Sequence, residues 1–285
     1  MHTTYSLGLY EKAMPAGLTF GDMLAHTAAS GFDRLEISID ETDERLCRLD
    51  WPAAKRSELR NTCSDLCVPI DTMCLSAHRR FPFGSHSAST RAQSLEILKK
   101  AIDFSSDVGI RIIQLAGYDV YYETGDADTQ KWFAENLFKA TELAAKAGLL
   151  LGFETMETPF MDTVKKSMHY VSLVGSPYLG IYPDIGNLKN ASLLYGNNLV
   201  EDISTGAGHI FAAHLKETAP GKYRDQTFGS GHTDYIPCIT ALWQQGVRMF
   251  TGEFWYLGEP DFTKTLTAAS TFLRNKIELS VNPDT

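Results

Sequence analysis

The chain has 285 residues, 44% of them hydrophobic, and a formal net charge of −9. That apolar fraction supports a packed core, while an acidic surface repels phosphate backbones and argues against nucleic acid or an anionic membrane as partner. No apolar stretch reaches the roughly 18 residues of a membrane helix, and the start of the chain has no basic region followed by an apolar run, so a cytoplasmic protein is expected.

Short apolar runs alternate with longer helical patterns along the whole chain. A strand is expected at 6–9 and a helix at 20–30, then a strand at 34–39 and a helix at 52–67. The third and fourth pairs are 69–74 with 90–108 and 111–115 with 129–147. The fifth and sixth are 149–154 with 164–174 and 179–183 with 199–206; Asn187, Asn190 and Ser192 crowd the stretch between the last two and predict a turn. The last pairs are 210–216 with 235–245 and 249–253 with 262–276. Gly31, Gly109, Gly148 and Gly246 stand where helices should end before the next strand.

Eight strand–helix units in strict alternation predict a parallel sheet, and eight is the number that closes a (β/α)8 TIM barrel. One barrel domain over 1–285 is expected, since such folds run to about 250 residues or more as a unit. An open doubly wound sheet competes, but no G-x-G-x-x-G follows the first strand. The five cysteines, Cys47, Cys63, Cys67, Cys74 and Cys238, are odd in number and lack a second pair at zinc-site spacing, which predicts free thiols packed as small hydrophobes.

The C-terminal strand ends of a barrel converge on its active site. Strand five ends LLLGFETME with Glu154, and strand six reaches Asp184 in LGIYPDIGN. Strand seven holds His214, Lys216 and Glu217 in FAAHLKE, and strand eight ends MFTGEFW with Glu253. A lone acid at a strand end often caps the next helix, but four ligand-type residues on four successive strands predict a metal site. Three carboxylates and an imidazole facing one point repel each other until a divalent ion joins them. Zn²⁺ or Mn²⁺ is expected, with Mg²⁺ or Co²⁺ also compatible with an O,O,O,N set. His209 precedes its strand and is expected to be structural. His78, Arg79 and Arg80 follow strand three, Lys12 follows strand one, and Lys216, Lys222 and Arg224 belong to strand seven and its loop; all are candidates for sugar or phosphate contacts. Tyr10, Phe83, Tyr118, Tyr121, Tyr122, Met156, Phe254 and Trp255 are read mostly as packing, with some walling a pocket.

The segments GLYEKAMPAG, DETDERLCRLDW, MCLSAHRRFPFGS, IRIIQLAGYDVYY, YPDIGNL, AHLKET and FGSG, spread over residues 8 to about 260, resemble the L-ribulose-5-phosphate 3-epimerase branch of the xylose isomerase-like barrels. The resemblance implies a metal on Glu154, Asp184, His214 and Glu253, with Glu154 and Glu253 as the proton-transfer pair. It also implies substrate contacts from Glu157, an extra acid close members tend to share, and from Asn187. The segments ETMETPFMD and GEFWYLGEP depart from the branch pattern, and they lie near the substrate. The expected reaction is 3-epimerisation of a ketopentose 5-phosphate, L-xylulose 5-phosphate to L-ribulose 5-phosphate, through a metal-stabilised enediolate. The alternatives are an aldose–ketose isomerase or another ketose epimerase on the same scaffold, a multi-metal DNA-repair nuclease, and a non-catalytic sugar-phosphate binder. Eight histidines with few at strand ends, and the negative charge, speak against the nuclease. A homodimer is a further expectation, with the aromatic segment 118–122 as a contributor.

Overall fold

The computed structural model describes residues 5–282. The expectation about the start of the chain falls partly on residues 1–4, outside the described residues. Among the described residues there are eight strands: β1 (Ser6–Tyr10), β2 (Arg34–Ser38), β3 (Ile70–Leu75), β4 (Ile112–Ala116), β5 (Leu150–Glu154), β6 (Leu179–Ile181), β7 (Ala213–Leu215) and β8 (Met249–Gly252). All pair in parallel, in the order β6-β5-β4-β3-β2-β1-β8-β7.

The two ends of that row meet. Ile181 donates its N–H to the His209 carbonyl at 2.8 Å, Phe211 donates to Ile181 at 3.0 Å, and His214 donates to Pro183 at 2.9 Å. These bridges close the (β/α)8 barrel. They are sparse because Pro183 has no N–H to offer a ladder, which is why β6 and β7 are shorter than the apolar runs that encode them.

The helices are α1 (Phe20–Ala29), α2 (Asp43–Leu46), α3 (Ala53–Leu66), α4 (Ala88–Val108), α5 (Ala127–Ala147), α6 (Val164–Val174), α7 (Ile185–Tyr195), α8 (Leu199–Ser204), α9 (Tyr235–Gln244) and α10 (Phe262–Val281). Their boundaries are set by local chemistry. Thr19 and Asp126 cap α1 and α5 with reciprocal capping boxes, and Gly109 and Gly148 end α4 and α5 at φ 108° and 70°. Two helices escape the sequence reading. α2 is a single turn, and α7 occupies the segment expected as a turn. Asn187, Asn190 and Ser192 are poor helix formers, but Asp184 caps this helix and Leu188 and Ala191 are buried beneath it.

Strand parity sorts the core. Leu7, Leu9, Leu35, Ile37, Ile113 and Leu115 are buried in the large apolar layer between barrel and helices. The alternate positions Arg34, Glu36, Thr72, Gln114 and Thr251 are also fully buried, inside the barrel, where Arg34, Glu36, Thr72 and Thr251 join Tyr182 in a polar network and the Gln114 amide lies 3.2 Å from His214 Nδ1. None of the described helices is long and apolar enough to cross a membrane.

All five cysteines are free; Cys63, Cys74 and Cys238 are buried as expected, whereas Cys47 and Cys67 are exposed. Cys67 ends α3 at φ 55°, in the left-handed region, with no glycine to relieve it. Cys67→Gly is therefore expected to stabilise the protein by about 1 kcal/mol, read as a higher midpoint in thermal denaturation; an unchanged or lower midpoint would contradict a strained cap.

Candidate metal centre

Four strand ends deliver one cluster. Glu154 closes β5, Asp184 follows β6, His214 lies in β7 and Glu253 follows β8. A backbone bridge pairs Asp184 with His214. One ligand atom from each of the four lies within 4.8 Å of every other. From His214 Nδ1 the distances are 3.4 Å to Glu253 Oε2, 3.8 Å to Glu154 Oε1 and 4.0 Å to Asp184 Oδ2. All four residues are buried.

The donor set fits a divalent ion on three observations. Asp184 Oδ2 and Glu253 Oε2 are buried and accept no aligned hydrogen bond. Their nearest cation is Lys216 Nζ, at 2.9 Å and 3.1 Å. Metal ligation requires ionised carboxylates and a neutral imidazole; in that state three carboxylates against the Lys216 ammonium leave two negative charges, which one divalent ion would cancel. The donors are hard oxygens and one imidazole nitrogen, the set that Zn²⁺ and Mn²⁺ accept.

The fields within the cluster are strong. Burial and the neighbouring Glu253 push the Glu154 carboxyl above the usual carboxylate range. Burial lifts Asp184 to about 7 against the opposing pull of Lys216. Burial also opposes ionisation of Glu253, but Lys216 and His214 outweigh it and hold that carboxyl low. Two glutamates in one cavity thus sit on opposite sides of their ordinary value.

Asp184 divides its two oxygens. Oδ1 accepts the Asn187 N–H at 2.7 Å as the N-cap of α7, leaving Oδ2 toward Lys216 and the ligand set. His214 is likewise held from behind. Its Nε2 lies 2.6 Å from Glu36 Oε1, and Glu36 Oε2 accepts the hydroxyls of Thr72 at 2.7 Å and Tyr182 at 2.8 Å. A carboxylate on the far nitrogen fixes the tautomer and aims Nδ1 into the ligand set. The sequence reading missed Glu36. Its signal was parity: in RLEIS, Arg34 and Glu36 are two charges on one face of a strand whose other face is apolar.

The remaining candidates separate. Lys12, Arg79, Glu157, Asn187, Lys216 and Arg224 line the narrow space above the cluster, of about 40 Å³, with Tyr10, Met156, Tyr223 and Trp255. Arg79 keeps a buried, unpartnered Nε, and Asn187 a buried, unpartnered Oδ1. Glu157 accepts the Tyr118 hydroxyl at 2.5 Å. Lys12 is paired with Asp40 at 2.6 Å, and the Arg224 guanidinium lies 5.3 Å over the Trp255 ring.

Several expectations need correction. His78 turns into the core: its Nε2 is 3.1 Å from the Ser94 carbonyl oxygen, its ring packs on Phe83, and burial lowers its pKa to about 4. Arg80 points to the outer rim, pairing with Asp43 at 2.8 Å. Both lie on a 3-10 turn (Ser76–Arg79) or just past it, whose tight winding sends consecutive side chains apart. The 118–122 segment is not an exposed aromatic face, because Tyr118 is buried and Tyr121 half-buried, leaving only Tyr122 open. His209 is exposed ahead of β7, as expected.

A family model described as xylose isomerase-like TIM barrel matches residues 24–275. The L-ribulose-5-phosphate 3-epimerase UlaE of Shigella boydii serotype 18 is 45% identical over 240 residues, 84% of this chain and 83% of that protein. The protein of the same name from Escherichia coli O157:H7 matches to the same extent. Among solved structures, a D-tagatose 3-epimerase-like protein superposes with a TM-score of 0.79 at 15% identity, covering 98% of this chain and 100% of that one. An L-ribulose 3-epimerase does so with a TM-score of 0.76 at 18% identity, covering 98% and 95%. At these identities the structural likeness speaks for the fold.

Glu36→Gln is expected to weaken Zn²⁺ or Mn²⁺ binding by about 10- to 100-fold in titration calorimetry, with an unchanged circular dichroism spectrum. Saturating metal should also raise the wild-type melting temperature, because only the folded chain assembles the four ligands. Equal metal affinity in wild type and variant would deny Glu36 this role.

Proposed function

The chain belongs to the L-ribulose-5-phosphate 3-epimerase family of the xylose isomerase-like TIM barrels and is an enzyme of the isomerase class; from that premise we propose that it interconverts L-xylulose 5-phosphate and L-ribulose 5-phosphate by inverting C3. The observation that carries the reading is the buried cluster of Glu154, Asp184, His214 and Glu253, which puts two glutamates from separate strands in one cavity. Glu154, Asp184, His214 and Glu253 would hold the ion. A divalent ion held there would supply Lewis acidity to the carbonyl next to the reacting carbon.

Inversion at C3 requires a group that removes the proton from one face and a second group that returns one to the other. Glu154 and Glu253 are the proposed pair, contributed by strands three places apart around the barrel. One carboxyl must be ionised while its partner is protonated. Lys216, between Asp184 and Glu253, offsets the charge that three carboxylates concentrate there.

For the phosphate, Arg79 and Arg224 are the proposed contacts. Arg79 holds a donor without a partner, and Arg224 reaches the pocket from the opposite wall. Glu157 and Asn187 are proposed to face sugar hydroxyls, and Lys12 to assist from beside Asp40.

In D₂O with either ketopentose 5-phosphate and added Mn²⁺ or Zn²⁺, proton NMR should show deuterium entering at C3. Label at C1 instead would make the enzyme an aldose–ketose isomerase. Glu154→Gln and Glu253→Gln should each lower kcat by about 10²- to 10⁴-fold; wild-type turnover by either one would refute the two-glutamate scheme. Arg79→Ala should raise KM for the phosphorylated sugar and leave that for the free ketopentose unchanged.

A further inference from the structure

Glu217 and the FGSG segment stand out in the sequence, and neither the metal cluster nor the acid–base pair uses them. The structure joins them. Glu217 is buried just after β7, and its carboxylate faces the loop of residues 219–234 rather than the ligand set. Oε2 accepts the Gly229 N–H at 2.8 Å, while Oε1 accepts the N–H groups of Thr233 at 3.1 Å and Thr218 at 3.2 Å. Three backbone donors on one buried carboxylate make a strong, charge-assisted clamp.

The turn is built for close approach. A Cβ on Gly231 would collide with the Thr218 carbonyl oxygen and lie 2.6 Å from Glu217 Oε1, so no larger residue fits there. Phe228, at the front of the turn, stacks on Phe272 and meets Phe254 edge-on. The other end of the loop is held separately: Asn190 Oδ1 accepts the Gly221 N–H at 2.9 Å. Between the two anchors run Tyr223 and Arg224, both in the wall of the pocket above the metal ligands.

We propose that Glu217 is a positioning residue for substrate: by clamping the FGSG turn it holds loop 219–234 so that Tyr223 and Arg224 close over the phosphorylated sugar. This rests on the sugar-phosphate reading for its substrate, but the clamp itself is independent of it. Glu217 acts through the loop and touches neither the metal ligands nor the reacting carbon, so its loss alters binding and spares chemistry.

The test uses the full-length, metal-loaded enzyme. In Glu217→Gln an amide N–H₂ must face either Gly229 or the Thr218 and Thr233 donors, so part of the clamp is lost. KM for the ketopentose 5-phosphate should rise roughly tenfold or more, with kcat within about threefold and metal affinity unchanged. Gly231→Ala attacks the same anchor from the loop side and should reproduce the split. In Arg224→Ala, adding Glu217→Gln should raise KM by less than it does in wild type, because both act on one wall. Trypsin reads the loop without any substrate, since Lys222 and Arg224 are exposed within it: both clamp variants should be cut there faster than wild type. A wild-type KM in variants whose loop is cut faster would overturn the proposal, as would a fall in kcat or metal affinity at constant KM. A wild-type enzyme inert toward ketopentose phosphates, with the cleavage difference intact, would refute the sugar-phosphate reading and leave the clamp standing.

Discussion

Burying like charges together is the constraint around which this molecule is arranged. Glu154, Asp184 and Glu253 converge at the barrel mouth with little access to water, and isolated carboxylates there would cost several kcal/mol each to ionise. Lys216 supplies the only ammonium in direct contact with two of them among the described residues. Glu36 takes up His214 from behind, and Glu36 is itself tied to Thr72 and Tyr182 above the fully buried Arg34. The inside of the barrel is therefore polar along much of its length, and the apolar burial that stabilises the fold is displaced to the layer between strands and helices.

That division explains how one scaffold serves both stability and chemistry. The outward face of each strand buries leucine and isoleucine against the helices. The inward face supports ligands through hydrogen bonds whose partners come from neighbouring strands, so rotamers are fixed by rigid elements rather than by loops. Loops supply the other wall. Residues 219–234, pinned at Asn190 and Glu217, bring Tyr223 and Arg224 to the pocket, while the 3-10 turn after β3 sends Arg79 inward and His78 and Arg80 elsewhere.

Asp184 illustrates why a functional and a structural reading of one residue need not compete. An acid at a strand end is ordinarily a helix cap, and Asp184 is one, with Oδ1 on the Asn187 N–H. Its other oxygen remains in the ligand set. The cap also accounts for α7, the helix that its polar composition concealed: Asn187, Asn190 and Ser192 favour turns in isolation, yet Asn187 and Asn190 are held by tertiary partners and the Ser192 hydroxyl is satisfied within the helix by the Lys189 carbonyl.

What the sequence determined by itself was whatever periodicity and order encode. Eight short apolar runs alternating with helical patterns specify a closed parallel barrel, because strand register and right-handed crossovers leave few other arrangements. The placement of Glu154, Asp184, His214 and Glu253 at four successive strand ends specifies that they gather, because a barrel brings those ends together. What only the tertiary structure decided was where side chains point once the chain leaves a strand, and which buried groups meet across the barrel. Glu36 and His214 are 178 residues apart, and no local pattern links them. Whether His78 or Arg79 faces the pocket depends on one 3-10 turn whose residues differ in direction but not in character. Proximity between distant strands and side-chain direction in irregular turns are products of packing, and neither is written in the spacing of residues along the chain.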